Sequence, residues 1–284
     1  MKKYIFLVIS SLLFFSCAKK QLNPKLVKTL EPFHTPESVL VAPDGIYYVS
    51  NIGGFEVMGD GWISKIQNDS VSKLTDGMND PKGLAYKDGD IYAADINQIW
   101  IVDAATGDKC LFVDSTLFPA VPKFLNDLVF DKAGNLFVSE TGNFDSTDGA
   151  IYKISPEGKV STFIDHNVSP EIHSPNGLLF DKENNLLVID LSTGRLLKIS
   201  PNGKNVQVLN SSAKMGDGIT YDSRGYLYFS DWTGGRIFRM DDQNDAVVID
   251  SAFKAPADIN IDQSKDYLLV PEFNGNRVDI ISLY

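Results

Sequence analysis

A phrase of 15 to 17 residues recurs six times along the chain, and it constrains the fold more than any other feature. Each copy contains a loop with proline or glycine, a strand-like stretch, a tight turn, and an apolar stretch that ends in an acid or asparagine. Successive copies begin 40 to 50 residues apart. The copies are PESVLVAPDGIYYVSN, PKGLAYKDGDIYAAD, LNDLVFDKAGNLFVSE, PNGLLFDKENNLLVID, GDGITYDSRGYLYFSD and PADINIDQSKDYLLVPE. A period of this length indicates a repeat architecture.

Each repeat has room for four short strands, because two more strand-like stretches follow the phrase, such as AIYKIS and KVSTFI in the third repeat. Four strands per period of this length are typical of a β-propeller blade. The last repeat stops after three strands, and LVKTLE at 26–31 can supply the fourth. We therefore predict an all-β, six-bladed β-propeller, closed by an N-terminal strand that completes the last blade. An elongated solenoid would leave the missing strand and the spare strand unmatched.

The composition excludes several other classes of protein. The chain has 26 Lys and Arg against 37 Asp and Glu, a formal net charge of -11, which argues against a nucleic-acid partner. Its 43% hydrophobic and 22% charged residues are ordinary for a globular protein and too apolar for a disordered one. Two Cys and three His spread along the chain make a disulfide framework and a zinc cluster poor explanations.

The first residues have the pattern of an export signal. Two lysines precede an apolar run that ends in Ser16 and Cys17, which resembles a bacterial lipoprotein cleavage site. We predict a signal peptide over 1–16, a lipidated Cys17 with a polar tether over 17–25, and the propeller over 26–284. Ordinary signal cleavage and a retained anchor are the alternatives. The expected location is the bacterial cell envelope, with membrane contact through the lipid alone, and the expected state is a monomer.

The second residue of each phrase should lie at one end of the central channel, because equivalent positions in a closed ring are equally distant from its axis. Four of these residues carry oxygen donors, two carboxylates and two amides, which suit Ca²⁺ or Mg²⁺ better than zinc. The alternative is a metal-free polar channel, since Asn and Asp beside Gly are common in turns. The six aligned residues are Glu37, Lys82, Asn126, Asn176, Asp217 and Ala257.

With these motifs the chain resembles the senescence marker protein, regucalcin and gluconolactonase family of six-bladed propellers. Diisopropyl fluorophosphatase and the paraoxonases share its ligand pattern. The motifs are PES with Glu37, LND with Asn126, SPNG with Asn176 and GDGITYD with Asp217. The resemblance implies a divalent cation, usually Ca²⁺, held by these four residues, and hydrolysis of lactones or related esters. Sugar-lactone members carry an Arg two residues before the third-blade Asn, where this chain has Phe124. That departure weakens the case for an aldonolactone substrate.

The residue types suggest a mechanism for such a hydrolase. A cation polarises the lactone carbonyl while a carboxylate takes a proton from water or attacks directly. Asp217 is the first candidate for this carboxylate and Asp127 the second, with a structural loop acid as the alternative for Asp127. Asn126, Lys82 and His173 are the candidate substrate-binding residues.

Lys82 has three open interpretations, because a cation in the ligand ring would repel Ca²⁺. It could hold the carboxylate of an acidic substrate, it could replace the metal in a binding-only propeller, or it could extend from the channel mouth into water. Aromatic residues could wall an apolar pocket at the same mouth, although aromatics in blades mostly pack between sheets. They are Phe33, Phe55, Trp62, Phe144 and Trp232.

Two functions of different classes follow from the sequence. The first is a metal-dependent hydrolase, with Ca²⁺ as the expected cofactor and a small-molecule lactone or ester as its substrate. The second is a non-catalytic envelope propeller of the NHL type that binds a peptide, a glycan or a protein partner, because fold alone does not determine function.

Overall fold

A computed structural model of the chain describes residues 22–144, 148–241 and 243–284. The predicted signal segment and Cys17 lie outside these residues. The described residues form strands and one short 3-10 helix, Ser115–Leu117. In this part of the chain, no helix is both long and apolar enough to cross a membrane.

The strands recur with the period of the sequence repeat. In chain order they are β1 (Lys25–Leu30), β2 (Pro36–Val41), β3 (Tyr47–Asn51), β4 (Gly61–Gln67), β5 (Ser70–Met78), β6 (Pro81–Lys87), β7 (Asp90–Asp95), β8 (Gln98–Asp103), β9 (Lys109–Val113), β10 (Leu125–Phe130), β11 (Leu136–Glu140), β12 (Ala150–Ile154), β13 (Val160–Asp165), β14 (Pro175–Phe180), β15 (Leu186–Asp190), β16 (Leu196–Ile199), β17 (Val206–Asn210), β18 (Gly216–Tyr221), β19 (Leu227–Asp231), β20 (Arg236–Met240), β21 (Ala246–Ser251), β22 (Asn260–Asp262), β23 (Tyr267–Glu272) and β24 (Arg277–Ser282).

These strands form six four-stranded antiparallel sheets, each built from consecutive strands except the last. That sheet has the order β1-β24-β23-β22, with Leu30 opposite Val278 and Thr29 opposite Asp279. The prediction of a six-bladed propeller closed by the N-terminal strand is therefore confirmed. This strand begins at Lys25, one residue before the predicted start.

The first strand of each blade lies innermost and contacts the first strands of the two neighbouring blades around the ring. The contact is backbone to backbone at several glycines. A Cβ on Gly218 would lie 2.3 Å from the backbone nitrogen of Ile259, and one on Gly177 would lie 2.4 Å from the carbonyl oxygen of Asp217. Glycine at these two positions is therefore required by ring packing as well as compatible with a turn.

The hydrophobic core lies between the blades. Every residue of β3, β11, β15 and β19 is buried, which agrees with second strands that are packed on both faces. One cluster joins Ile189 of β15 to Phe229 of β19, and another joins Leu136 of β11 to Ile99 of β8. Since each interface joins neighbouring blades, the core fixes the angle between blades and hence the diameter of the channel.

Candidate functional site

A cavity of about 290 Å³ opens at the end of the channel where the innermost strands begin. Five of the six aligned residues each occupy the second position of an innermost strand, and all five line this cavity. Ala257 precedes its strand and is not among the described lining residues. The five are Glu37, Lys82, Asn126, Asn176 and Asp217.

Three of these side chains contribute buried oxygen atoms that have no hydrogen-bond partner among the described residues. They are Glu37 Oε2, Asn176 Oδ1 and Asp217 Oδ1. A buried polar atom without a partner costs free energy, so several around one cavity indicate that a ligand completes them. Oxygen donors of this kind fit a hard divalent cation.

Asn126 is held by a short chain of hydrogen bonds to the next blade. Its Nδ2 donates to Thr141 Oγ1 at 3.2 Å, and that hydroxyl donates to the carbonyl oxygen of Pro175 at 2.9 Å. This bond fixes the orientation of the amide and leaves its carbonyl oxygen as the acceptor atom that could face a cation. Thr141 is thus a positioning residue that the repeat pattern did not identify.

Within the described residues, no three His, Cys, Asp or Glu side chains are arranged to hold a metal. A cation in this cavity would therefore need the two asparagine amides as well as Glu37 and Asp217. The donor set is the mixed one that the sequence predicts.

The acid or asparagine that ends each second strand accepts hydrogen bonds from the loop that precedes the innermost strand of the same blade. Asp190 Oδ2 accepts a hydrogen bond from the backbone N–H of Ser174 at 2.8 Å, and Glu140 Oε1 accepts one from Lys123 at 2.9 Å. Five of these loops lead directly into a cavity residue, and the sixth leads to Ala257, so the five side chains that hold the first group fix the geometry of the site. The set is Asn51, Asp95, Glu140, Asp190, Asp231 and Glu272.

The carboxylates around the channel strongly perturb one another. Desolvation by burial raises the pKa of Glu37 well above its usual value, and the negative charges of Asp217 and Asp258 raise it further. The pKa of Asp217 is raised by desolvation, by Asp258 and by Asp127. Burial also raises the pKa of Asp258 to about 7. Such a cluster attracts a cation, because positive charge would relieve the repulsion.

Lys82 lies inside the site rather than at its surface. Lys82 is 1% exposed, so the interpretation that its side chain extends into water is wrong. Nζ donates to the backbone carbonyl of Asp80 at 3.0 Å and lies 4.1 Å from the ring centroid of Phe124. Desolvation lowers the pKa of Lys82, and the negative charge of Glu37 is the largest effect opposing that shift.

The rest of the cavity wall is apolar. The rings of Phe55 and Trp232 each lie 5.6 Å from the ring of Phe273, and Phe124 lies 5.0 Å from Phe144. Of the aromatic residues that the sequence suggested for this wall, Phe55, Phe144 and Trp232 line the cavity, whereas Phe33 and Trp62 are not among its described lining residues. The apolar lining consists of Ile52, Phe55, Phe124, Phe144, Leu191, Met215, Trp232 and Phe273.

Half of this wall comes from one repeat position, at which the sequence pointed to Trp232 alone. These residues directly follow the acid or asparagine at the end of a second strand, where the chain turns over the mouth of the channel. The same alignment that predicts the polar residues could have identified them. They are Ile52, Leu191, Trp232 and Phe273.

Asp127 and His173 are not among the described residues that line this cavity. The carboxylate of Asp127 accepts hydrogen bonds from the backbone N–H groups of Leu128 and Leu178, both at 2.6 Å. It borders a second cavity of about 230 Å³ further along the innermost strands. The backbone N–H of His173 donates to Asp190 Oδ2 at 3.2 Å. The carboxylate of Asp127 thus holds backbone groups, whereas the His173 contact involves its backbone alone, and the substrate-binding role of its side chain stays a prediction.

Comparison with known proteins gives partial matches to curated lactonases. Lactonase drp35 of Staphylococcus aureus (strain USA300) is 33% identical over 119 residues, which are 39% of this chain and 34% of that protein. Pentonolactonase XacC of Haloferax volcanii is 23% identical over 150 residues, 50% of this chain and 47% of the relative. The chain therefore aligns with between a third and a half of the length of these two relatives.

Solved structures share the fold over most of the chain. A calcium-binding protein, regucalcin, from Agrobacterium tumefaciens matches with a TM-score of 0.71 and 18% identity, over 91% of this chain and 94% of that one. Virginiamycin B lyase from Staphylococcus aureus matches with a TM-score of 0.64 and 12% identity, over 93% and 100%. At sequence identities of 18% and 12%, these comparisons show a shared fold alone.

A family profile described as the SMP-30/Gluconolactonase/LRE-like region matches residues 63–261. This match spans most of the propeller, from β4 to β22, and includes three of the four predicted oxygen donors. The chain therefore belongs to the SMP-30/gluconolactonase/LRE-like family of six-bladed propellers.

Proposed function

We propose that the protein is a divalent-cation-dependent hydrolase, with Ca²⁺ as its metal, that opens a lactone or related ester in the cavity. The observation that carries the proposal is the set of buried, unpartnered oxygens of Glu37, Asn176 and Asp217 around one cavity. Among similar proteins, two relatives are named lactonases and one solved structure is described as a calcium-binding regucalcin, which supports the proposal.

The cation would be held by Glu37, Asn126, Asn176 and Asp217. The chemistry that a bound divalent cation supplies is polarisation of the lactone carbonyl and stabilisation of the negative charge that develops on its oxygen. Two carboxylates balance the two charges of the cation, and two neutral amides complete the oxygen set without adding repulsion.

Asp217 is the group that would move the proton. Its carboxylate takes a proton from water as the water oxygen bonds to the lactone carbonyl carbon, and the ring C–O bond then breaks. The departing alkoxide receives that proton, which gives a hydroxy acid and restores the carboxylate. The apolar walls exclude other water from the site, and this strengthens the electrostatic effects inside it.

A panel of lactones and esters tests this proposal. We expect turnover of an apolar lactone such as phthalide with Ca²⁺ present, release of one proton per ester bond opened, and loss of turnover in excess EDTA. The release of acid is followed with a pH indicator. If no member of the panel is hydrolysed with Ca²⁺, Mg²⁺, Mn²⁺ or Zn²⁺, the protein is not this hydrolase, and a binding-only propeller is the better account.

We also propose that the protein is an envelope lipoprotein anchored through Cys17. The first described residues enter β1 at the end that lies away from the cavity, because β1 runs toward the loop that leads to Glu37. A tether there would leave the mouth of the site facing away from the membrane. Replacing Cys17→Ala should move the protein from the membrane fraction to the soluble fraction of cells. Unchanged fractionation, measured by immunoblotting, would contradict the anchor.

A further inference from the structure

Lys82 is a buried cation, and in the part of the chain that the structure describes its ammonium group has one hydrogen-bond acceptor. An ammonium group has three donors, and here one donates to the carbonyl of Asp80. Within the described residues, no carboxylate oxygen lies within 4.0 Å of its nitrogen. The carboxylates of Glu37, Asp80, Asp95 and Glu140 act on this ammonium group only from beyond that distance. Its remaining donors can therefore form hydrogen bonds to a partner that enters the cavity.

The charges around the site make that partner an anion once a divalent cation is bound. Glu37 and Asp217 would then be neutralised by the cation, and Lys82 would be the remaining positive charge among the cavity residues. A negative group of the substrate could approach the ammonium group without meeting an uncompensated carboxylate among the cavity residues. The resulting charge-assisted hydrogen bond is strong, because the ammonium group is buried.

The surroundings of Lys82 limit what else the substrate can carry. The ring of Phe124 lies 4.1 Å from its nitrogen, and Phe144 packs edge to face against that ring. Few side chains on this wall could hydrogen-bond the hydroxyl groups of a sugar. The body of the substrate is therefore apolar.

From these observations we infer that Lys82 binds an anionic group of the substrate, so that the preferred substrate is an apolar lactone that bears a carboxylate in addition to its ester. This inference rests on the proposed function for the lactone, but the carboxylate site itself does not require turnover. A preference for an anionic ligand also separates two interpretations of Lys82. If Lys82 replaced the metal inside the ring of oxygens, the cavity would show no such preference.

Binding of two ethers that cannot be hydrolysed tests the inference. Phthalan and phthalan-5-carboxylate share a ring system and differ in one carboxylate. We expect the Ca²⁺-loaded protein to bind the carboxylate roughly 10- to 100-fold more tightly, as a charged hydrogen bond implies. Lys82→Met should abolish that preference, which is measured as the ratio of the two affinities within the same protein. Affinities are measured by titration calorimetry at pH 7.5.

Lys123→Met is the matched control variant. Lys123 lies beside the same mouth with a side chain that is 52% exposed, and it pairs with Asp148. This variant should keep the preference for the carboxylate, since it removes the same charge without removing the buried donor. Equal loss in both variants would show general attraction of anions and would overturn the specific site.

The unmodified protein gives a test that needs no variant. Equal affinity for the two ethers in the wild type would overturn the inference, even if Lys82→Met fails to fold. A failure of phthalide turnover with a retained preference for phthalan-5-carboxylate would reject the hydrolase and keep the anion site, so the two proposals can fail separately.

Discussion

Replacing Asp217→Asn should lower lactone turnover by about 10³-fold at saturating Ca²⁺, because the proposed proton acceptor is lost. Asparagine has nearly the same shape and keeps one neutral oxygen in the cavity. Folding should therefore be preserved, and removal of one desolvated charge should not lower the melting temperature of the Ca²⁺-free protein. The measurement is kcat for phthalide, together with a melting curve for each preparation.

Asp258→Asn is the matched control for this substitution. Asp258 is a partly buried carboxylate of the channel, and its Oδ2 accepts a hydrogen bond from Ser38 Oγ at 2.6 Å. It is not among the described residues that line the cavity, so most of the turnover should remain. Since its charge raises the pKa of Asp217, its removal should shift the acid limb of the pH profile toward lower pH. Full turnover in Asp217→Asn would contradict the assigned role of Asp217.

Replacing Glu37→Gln should remove the effect of Ca²⁺ on stability. Burial and neighbouring carboxylates raise the pKa of Glu37 in the folded protein, so its proton stabilises the fold and this stabilisation is lost as the pH rises through that pKa. Glutamine cannot ionise, and the variant in EDTA should melt a few degrees higher than the wild type at pH 8. It should respond little to Ca²⁺, because one of the two neutralising charges is gone.

Thermal melting with and without Ca²⁺ checks this prediction. Ser38→Ala serves as a control, since it removes a polar group next to Glu37 without changing the charge of the cavity. That variant should keep its Ca²⁺ response. A Ca²⁺ shift in Glu37→Gln equal to that of the wild type would show that Glu37 is not a ligand.

The ring and its polar centre could be predicted from the sequence because they depend only on the alignment of the six repeats. A constant phrase places Glu37, Asn126, Asn176 and Asp217 at the same point of successive blades, and ring closure brings these points together. The closing strand could be predicted for the same reason, because the last repeat lacks one strand and the residues before the first repeat supply it.

The roles of single side chains could not be predicted in this way. Asp127 follows Asn126 in sequence, but its carboxylate is used by backbone N–H groups, and no spacing rule shows which donors a carboxylate will meet. The burial of Lys82 depends on Phe124 from the next blade, which is a contact between distant residues. Half of the apolar wall occupies one repeat position. Whether the residues at that position enter the cavity depends on the direction in which the chain turns over the channel, which the sequence does not specify.

Binding of a divalent cation by the buried oxygens of the channel is tested most directly by the melting temperature of the wild-type protein. Protein treated with EDTA and dialysed is melted with and without Ca²⁺. At about 100 times the dissociation constant, binding adds roughly 2.7 kcal/mol, and the melting temperature should rise by about 5 °C or more. If millimolar Ca²⁺ and Mg²⁺ both leave the melting temperature unchanged, the cation and the hydrolysis that depends on it are contradicted.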